Sequence, residues 1–525
     1  MEKMTRRNLL PATAILLTWA ILYLPRPFLL GFYSDDWHVN VLWSTLDEPL
    51  RRLSFQTLFL ERPMPGIVLY AYGALFGDAA WPHHIVMTLW VLAAAAALYA
   101  MLRRVFFLLE FPDPALAAAL GACCWLAMPW THGITAWPII NPTLGAQICM
   151  SLATLLILTS NPSWRTAAGA GALTFAGNLF YEAFYFQALA FLPVILVWTY
   201  PRLRWFAIYA GTLLATTALN FALNRVYAFY GLGNYRRLNP DWLFTIQNHP
   251  GRLSKIIESM PETYVAVGFV ASILVLGFLV GAAFFIWQRR RRGALSLIAF
   301  LGTLAFGYVG GHTVLAFAGI EPWFLGIDSR STFTLSFWTA FALAGMFALS
   351  VPRVAARTAG VVLIVLLGWS NVQRTLEWSE ASRRQQKVLD EFPIERFATL
   401  PSNATVVYFT DSYFHQVPIW AAFYDLASAV QARLAAQRNA RGQLHPMAAL
   451  WPAIADMATG WDGQKLVYGL DDCILFRSQM TRESPEVWFY EAESVRLVRA
   501  EGPFWIRGGK VQYDTRVPPS PAPCP

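Results

Sequence analysis

Long apolar stretches, more than any motif, set the limits on what this chain can fold into. A helix needs about 20 apolar residues to cross the hydrocarbon core of a bilayer. Eleven stretches come close to that length: 9–30, 82–102, 114–131, 142–160, 166–182, 183–200, 205–226, 263–287, 293–312, 331–351 and 357–371. Charge divides the chain at the same place. Residues 1–371 hold 39 of the 72 charged side chains, and residues 372–525 hold the other 33. The first density is too low for the surface of a soluble fold of that size, and the second is ordinary for one. The chain therefore reads as an α-helical polytopic membrane protein of about eleven spans over residues 1–371, with a small C-terminal α/β soluble domain over residues 372–525. This excludes a soluble enzyme, a nucleic-acid reader and a disordered chain.

Basic residues orient the spans. With the N-terminus in the cytoplasm, the segments 1–8, 101–113, 160–166, 198–205, 288–293 and 351–357 face inward and carry 14 Lys and Arg in 49 residues. The opposite loops, 31–82, 131–142, 225–263 and 312–331, carry nine in 123. An odd number of spans then puts the long first loop and the C-terminal domain outside. The net charge of +8 belongs to this topology and marks no polyanion-binding surface. Leu24-Pro25-Arg26-Pro27 is not a small-residue cleavage site, so the first stretch reads as a retained span. Cys123, Cys124 and Cys149 fall within spans as core residues, while Cys473 and Cys524 are external and do not by themselves argue for a disulfide.

The outer face gathers the residues that carry chemistry. Tyr33-Ser34-Asp35-Asp36-Trp37 follows the first span directly. Two adjacent carboxylates repel each other, so one tends to hold its proton unless a cation or hydrogen bonds compensate. Such a pair suits proton removal from a hydroxyl or the grip of a divalent ion; it also suits a solvated helix cap. Arg62 opens an apolar run, Ile67 to Phe76, that is too short to span and reads as an interfacial helix. Its guanidinium either meets a phosphate or snorkels to lipid headgroups. His83 and His84 stand at the mouth of the second span. Pro129, His132 and Trp137 join the third span to the fourth, and Glu182 interrupts an apolar stretch where a charge is costly. Arg330, after Glu321-Pro322-Trp323 and Asp328, reads as a phosphate ligand or the partner of an acid. The loop 229–262, with Arg236, Arg237 and His249, adds cations. No phosphate-binding glycine loop, His-Glu-x-x-His, Gly-x-Ser-x-Gly or 20–50-residue repeat is present.

Taken in order, these features resemble the polytopic GT-C glycosyltransferases, the class of the protein O-mannosyltransferases and the lipid A aminoarabinose transferase. The likeness covers about residues 9–350. It rests on the acidic pair after the first span (Asp35, Asp36) and on an Arg-Pro opening an interfacial helix that ends Phe-Gly (Arg62 to Gly77). It continues with Pro129, His132 and Trp137, with an acid before an apolar helix containing a proline (Glu182, Pro193), and with an Arg opening a late span (Arg330). Two positions depart from the pattern: Arg330-Ser331 stands where Arg-Tyr is frequent, and Tyr181-Glu182 where Lys-Glu is common.

The resemblance implies an inverting transfer of a sugar from a polyprenyl-phosphate donor to an acceptor hydroxyl on a glycan, lipid or protein. The leaving group is a lipid phosphate, so no acid need protonate it, unlike in glycosidases. Asp35 or Asp36 is then the base, and Arg62 and Arg330 neutralise the departing phosphate. His84, His132 and Glu182 are further site candidates. A divalent metal ion on Asp35, Asp36 and His84 is compatible with the pattern and not required by it. The implied location is a bacterial inner membrane with the C-terminal domain in the periplasm, and no nucleic-acid partner is implied. An O-antigen polymerase or ligase, which would depend more on large-loop arginines, is the alternative enzyme. A transporter or flippase for a lipid-linked sugar is the alternative from another class; it would need polar residues at mid-depth, for which Asn178, Asn220 and Asn224 are the nearest. In the tail, a charged helix through Phe397, strands at 405–409, 465–468 and 487–490, an Ala-rich helix at 420–438 and a hairpin at Gly508-Gly509 are expected.

Overall fold

The computed structural model describes residues 2–33, 35–60, 62–77, 79–229, 259–317 and 327–391, and beyond Ala404 the strands given below with a few residues beside them. The helices are α1 (Glu2–Tyr23), α2 (Arg26–Leu29), α3 (Asp35–Thr45), α4 (Glu48–Leu58), α5 (Pro63–Phe76), α6 (Ala80–Leu108), α7 (Pro114–Ala127), α8 (His132–Thr135), α9 (Leu144–Thr159), α10 (Trp164–Phe180), α11 (Leu192–Thr199), α12 (Leu203–Phe229), α13 (Tyr264–Phe317), α14 (Phe333–Leu349) and α15 (Arg353–Glu391). They divide into two compact units: residues 1–30 with 52–376, and residues 31–51 with 377–525.

The first unit is a helical membrane body. Among the described residues eight helical segments are long and apolar enough to cross a bilayer, or nine when the bent pair Pro114–Ala127 and Pro129–Thr135 counts as one. The 51-residue stretch Tyr264–Val314 is far longer than a bilayer is thick. It breaks at Arg290, whose φ of 49° leaves the helical region, so α13 is two helices joined at the arginine run. Glycines set how closely neighbouring helices approach, as is usual where lipid supplies no hydrophobic drive between helices. A Cβ on Gly281 would overlap the Leu349 carbonyl oxygen, one on Gly307 the Trp338 ring, and one on Gly345 the Phe300 ring. Phe106, Phe111, Phe300 and Phe341 pack ring to ring between α6, α13 and α14. At one end of the body, Arg289 pairs with Glu110 at 2.9 Å and Arg357 with Asp113 at 2.7 Å. Both pairs are about half exposed and contribute little to stability.

Helix α5 forms where the interfacial run stands. Pro63 opens it without losing an intrahelical bond. Gly77, at φ 59°, ends it in a backbone region that glycine adopts without a steric penalty. At 14 residues it is too short to span. The segment Glu182 to Thr199, read above as one apolar helix with an internal proline, is less regular. Two 3₁₀ turns, Glu182–Phe184 and Leu189–Phe191, precede α11, and Pro193 lies in the first turn of that helix.

In the second unit, β1 (Ala404–Phe409) lies between β4 (Ala449–Ala453) and β8 (Glu486–Glu491), parallel to both, and β8 continues antiparallel to β9 (Arg496–Arg499). The Thr-Val-Val-Tyr-Phe run of β1 has the β-branched and aromatic character of a strand flanked on both edges. A short ribbon joins β2 (Tyr413–Phe414) to β3 (Val417–Pro418). The second sheet is antiparallel throughout: β5 (Met457–Trp461), β6 (Lys465–Leu470), β7 (Met480–Glu483), β10 (Phe504–Arg507) and β11 (Lys510–Tyr513) run in the order β11-β10-β5-β6-β7. Arg507 and Lys510 face each other across the last connection. Residues 392–397, Gly508, Gly509 and most of 420–438 lie outside the described residues, as do Cys473 and Cys524.

Candidate functional site

Arg62 and Glu182, far apart in sequence, meet in the first unit. Arg62 is the N-cap of α5, and Glu182 begins the 3₁₀ turn that follows α10. The guanidinium grips the carboxylate at two points: Nε donates to Oε2 at 2.7 Å, and Nη2 donates to Oε1. Tyr181 lies under the guanidinium, 4.9 Å from Cζ to the ring centroid. Each side chain is about a third exposed, at 33% and 30%, so the pair faces partly outward from the body. Arg330 sits over the buried Trp137 ring at 5.1 Å, and its charge reaches Glu182, which Arg62 dominates. Among the described residues two guanidiniums and one carboxylate thus share one region.

A broken helix supports this region. Helix α7 ends at Ala127 and the chain restarts at Pro129, bent by 63°. A break inside a membrane body frees backbone carbonyls that must find donors. Tyr23 Oη and Asn371 Nδ2 donate to Leu126 O at 2.9 and 3.4 Å, and Asn371 Nδ2 and Thr131 Oγ1 donate to Met128 O at 3.2 and 2.9 Å. The Pro129 carbonyl lies 2.7 Å from His132 Nδ1. A carbonyl can only accept, so Nδ1 carries the ring proton and Nε2 is the acceptor. That acceptor faces Arg26 Nη2 at 3.1 Å and the Thr375 hydroxyl at 3.0 Å.

Of the residues singled out by sequence, Arg62, Glu182 and Arg330 are therefore brought into one region. His132 is not part of its surface: it is 1% exposed and committed to Pro129, Arg26 and Thr375. His84 is buried in the first turn of α6. Its neighbour His83 holds the Ala79 carbonyl at 2.8 Å between Tyr72 and Phe76. The Asp328 side chain, the cations of 230–258 and Glu321-Pro322-Trp323 lie outside the described residues.

The acidic pair belongs to the second unit, where it opens α3. Its two members differ. Asp36 is 4% exposed and accepts the Tyr33 backbone N–H at 2.8 Å. Tyr33 is buried in turn: its hydroxyl donates to Trp378 O at 2.7 Å, and its ring packs edge-on against Trp378 at 4.6 Å. Burial pushes that phenol's pKa up, so it remains a donor. Asp35 is half-buried, and its charge acts on His38 one turn along. Burial pulls the His38 pKa down, and Asp35 opposes the shift. Among the described residues no three His, Cys, Asp or Glu side chains gather closely enough to hold a metal ion.

Sequence reasoning missed Arg26. It is 1% exposed at the end of the first apolar stretch, and its guanidinium is surrounded by neutral acceptors. The signal was present: a charge within an apolar stretch requires dedicated partners. No family model and no curated protein matches the sequence.

Proposed function

We propose that the chain is an inverting membrane glycosyltransferase that moves a sugar from a polyprenyl-phosphate donor to an acceptor hydroxyl. One observation carries the reading: Arg62 and Arg330 converge on Glu182 beside a short apolar helix and a broken span. A donor phosphodiester bears one negative charge, and its leaving phosphate gains another as the glycosidic bond breaks. A site with two guanidiniums and one carboxylate offers one net positive charge at the start of the reaction. The guanidiniums become more valuable as charge develops. Glu182 orients the Arg62 fork and keeps the two arginines from repelling each other before the donor arrives. Of the two acids, Asp35 takes the base role, because Asp36 is buried and held by Tyr33. The N-terminus is assigned to the cytoplasm of a bacterial inner membrane, and the C-terminal domain to the periplasm.

The test is reconstitution in lipid nanodiscs with polyprenyl-phosphate-linked sugars carrying a radiolabelled sugar. The expected result is consumption of at least one donor with release of polyprenyl phosphate, reduced at least a hundredfold in Arg62→Gln and Asp35→Asn. If no donor is consumed, or both variants match the wild type, the reading fails.

One observation favours the transporter reading instead. Gln147 and Ser151 on α9 and Thr174 and Asn178 on α10 are buried, with polar atoms that have no hydrogen-bond partner among the described residues. Such groups suit a polar path, and a polar path serves transport. Replacing Gln147 and Asn178 by Leu separates the two: a transporter loses flux of the lipid-linked sugar, whereas a transferase keeps its turnover.

A further inference from the structure

Arg26 is a fully buried cation whose hydrogen-bond partners among the described residues are all neutral. Its Nε donates to Leu22 O at 3.2 Å. Nη1 donates to Thr135 O at 3.3 Å and to Thr135 Oγ1 at 2.9 Å. Nη2 donates to Asn371 Oδ1 at 2.8 Å and to His132 Nε2 at 3.1 Å, and the Tyr23 ring lies beneath Cζ at 4.0 Å. Burying a guanidinium without a carboxylate is costly, and an apolar side chain would fill the same space at lower cost. What the guanidinium supplies is a planar fork that reaches several acceptors at once.

Those acceptors lie on three separate pieces of chain. Leu22 belongs to α1, His132 and Thr135 to the restart of the broken span, and Asn371 to α15. Asn371 also closes the break itself through Leu126 O and Met128 O. The restart is tied onward: the Gly133 backbone N–H donates to Ser329 Oγ at 2.7 Å, and the Thr332 hydroxyl donates to Ser329 O at 2.8 Å. Ser329 precedes Arg330, whose guanidinium sits over Trp137, just past the end of α8. A continuous set of hydrogen bonds and packed rings therefore runs from Arg26 through the broken span to Arg330.

We propose that Arg26 is a positioning residue: it fixes the broken span and, through Gly133–Ser329, holds Arg330 where it meets the donor phosphate. The first half stands on the hydrogen bonds alone, and the second rests on the donor-phosphate reading of Arg330. The charge makes His132 a fixed acceptor, since a second ring proton would point at the guanidinium.

Two readouts on the full chain in nanodiscs test this. The first is hydrogen exchange in wild type, Arg26→Gln and the gentler Arg26→Lys. Both variants should raise exchange in peptides covering 129–137 and 327–332 and leave 264–288 unchanged. The second is the affinity for a long-chain polyprenyl monophosphate, which should weaken about tenfold in Arg26→Gln and in Arg330→Gln. Arg26→Lys keeps the charge and loses the fork, so it should not restore affinity. Unchanged exchange over 129–137 in folded variants overturns the proposal. So does altered exchange with normal phosphate affinity in Arg26→Gln while Arg330→Gln loses it, because the ordering would then stop short of Arg330. If exchange rises but neither variant alters phosphate affinity, the positioning of the span stands and the donor-phosphate reading of Arg330 falls.

Discussion

Glu182→Gln is the most informative single substitution, because it keeps the shape of the side chain and removes only its charge. In the native protein Arg62 makes two hydrogen bonds to this carboxylate, and each partner is about a third exposed. Exposed pairs contribute up to about 1 kcal/mol, and breaking a buried pair costs about 3–5 kcal/mol. A bidentate pair at this depth falls between them, at about 2 kcal/mol. For a body of this size that loss lowers Tm by about 2–4 °C. The second consequence has the opposite sign. Glu182 competes with any anion for Arg62 and Arg330, so its neutralisation makes the local charge one unit more positive. At an effective dielectric of about 20 and a separation of about 6 Å, one charge is worth about 3 kcal/mol, and solvent screening at this exposure halves it. Affinity for polyprenyl phosphate should therefore rise about tenfold while thermal stability falls. Titration of the lipid phosphate into nanodiscs, with melting measured in parallel, reads both. A double-mutant cycle with Arg62→Gln should give a coupling of about 2 kcal/mol. A coupling below about 0.5 kcal/mol, or an affinity that drops together with stability, would refute the argument.

Other substitutions probe other parts of the molecule. Asp35→Asn should abolish sugar transfer with no loss of stability. Asp36→Asn should cost about 1–2 kcal/mol, since the Tyr33 N–H loses a charged acceptor, and reduce transfer less than Asp35→Asn does; equal melting of the two variants would contradict this. His38 has its pKa held down by burial, so the folded state favours the neutral ring. Its penalty is absent above about pH 6.5 and grows as pH falls below that, where the unfolded chain takes up a proton that the folded chain resists. His38→Gln should accordingly flatten the fall of Tm between pH 7 and pH 5, and an unchanged slope would exclude the effect. Gly281→Ala should cost at least about 2 kcal/mol or block folding, because the new methyl meets the Leu349 backbone carbonyl and not a side chain that can turn away. For the proposed orientation, a cysteine replacing Arg290 should react with an impermeant thiol reagent only after cells are opened.

The helical membrane body was legible because a span demands apolar length, which is readable without knowing neighbours; the count of about eleven was not, since eight or nine helical segments among the described residues meet that demand. Arg62 and Glu182 were each legible as candidates, yet each carried a bland alternative: headgroup snorkelling for one, a wet turn for the other. Neither alternative considers that the two could be each other's partner, since pairing depends on how α5 packs beside the end of α10. His132 was singled out for its place in a Pro-x-x-His…Trp pattern between spans; in the fold its ring is buried beside Arg26, a cation that the sequence reading had treated only as part of a cleavage-site question. The acidic pair was read as a unit, and the fold separates its members. One is tied to Tyr33 and the other remains beside His38.

These differences have one physical origin. In water a polar side chain on a loop has solvent as its default partner, so a sequence reading can leave its contacts open. Inside a membrane body each polar group must be satisfied by the protein, and a break in a span multiplies the demand by freeing carbonyls. The break at Met128 is matched by Tyr23, Asn371, Thr131 and His132, and Arg26 binds the restarted segment to its flanks. The same economy makes the unmatched groups informative. Gln147, Ser151, Thr174 and Asn178 bury polar atoms that have no hydrogen-bond partner among the described residues. Buried polar groups of this kind, lying on the neighbouring helices α9 and α10, suit a polar path between spans, as the transporter reading requires. Leucine at Gln147 and Asn178 should then abolish flux of a lipid-linked sugar if the groups line such a path, and raise stability by about 1–2 kcal/mol with sugar turnover unchanged if they are idle.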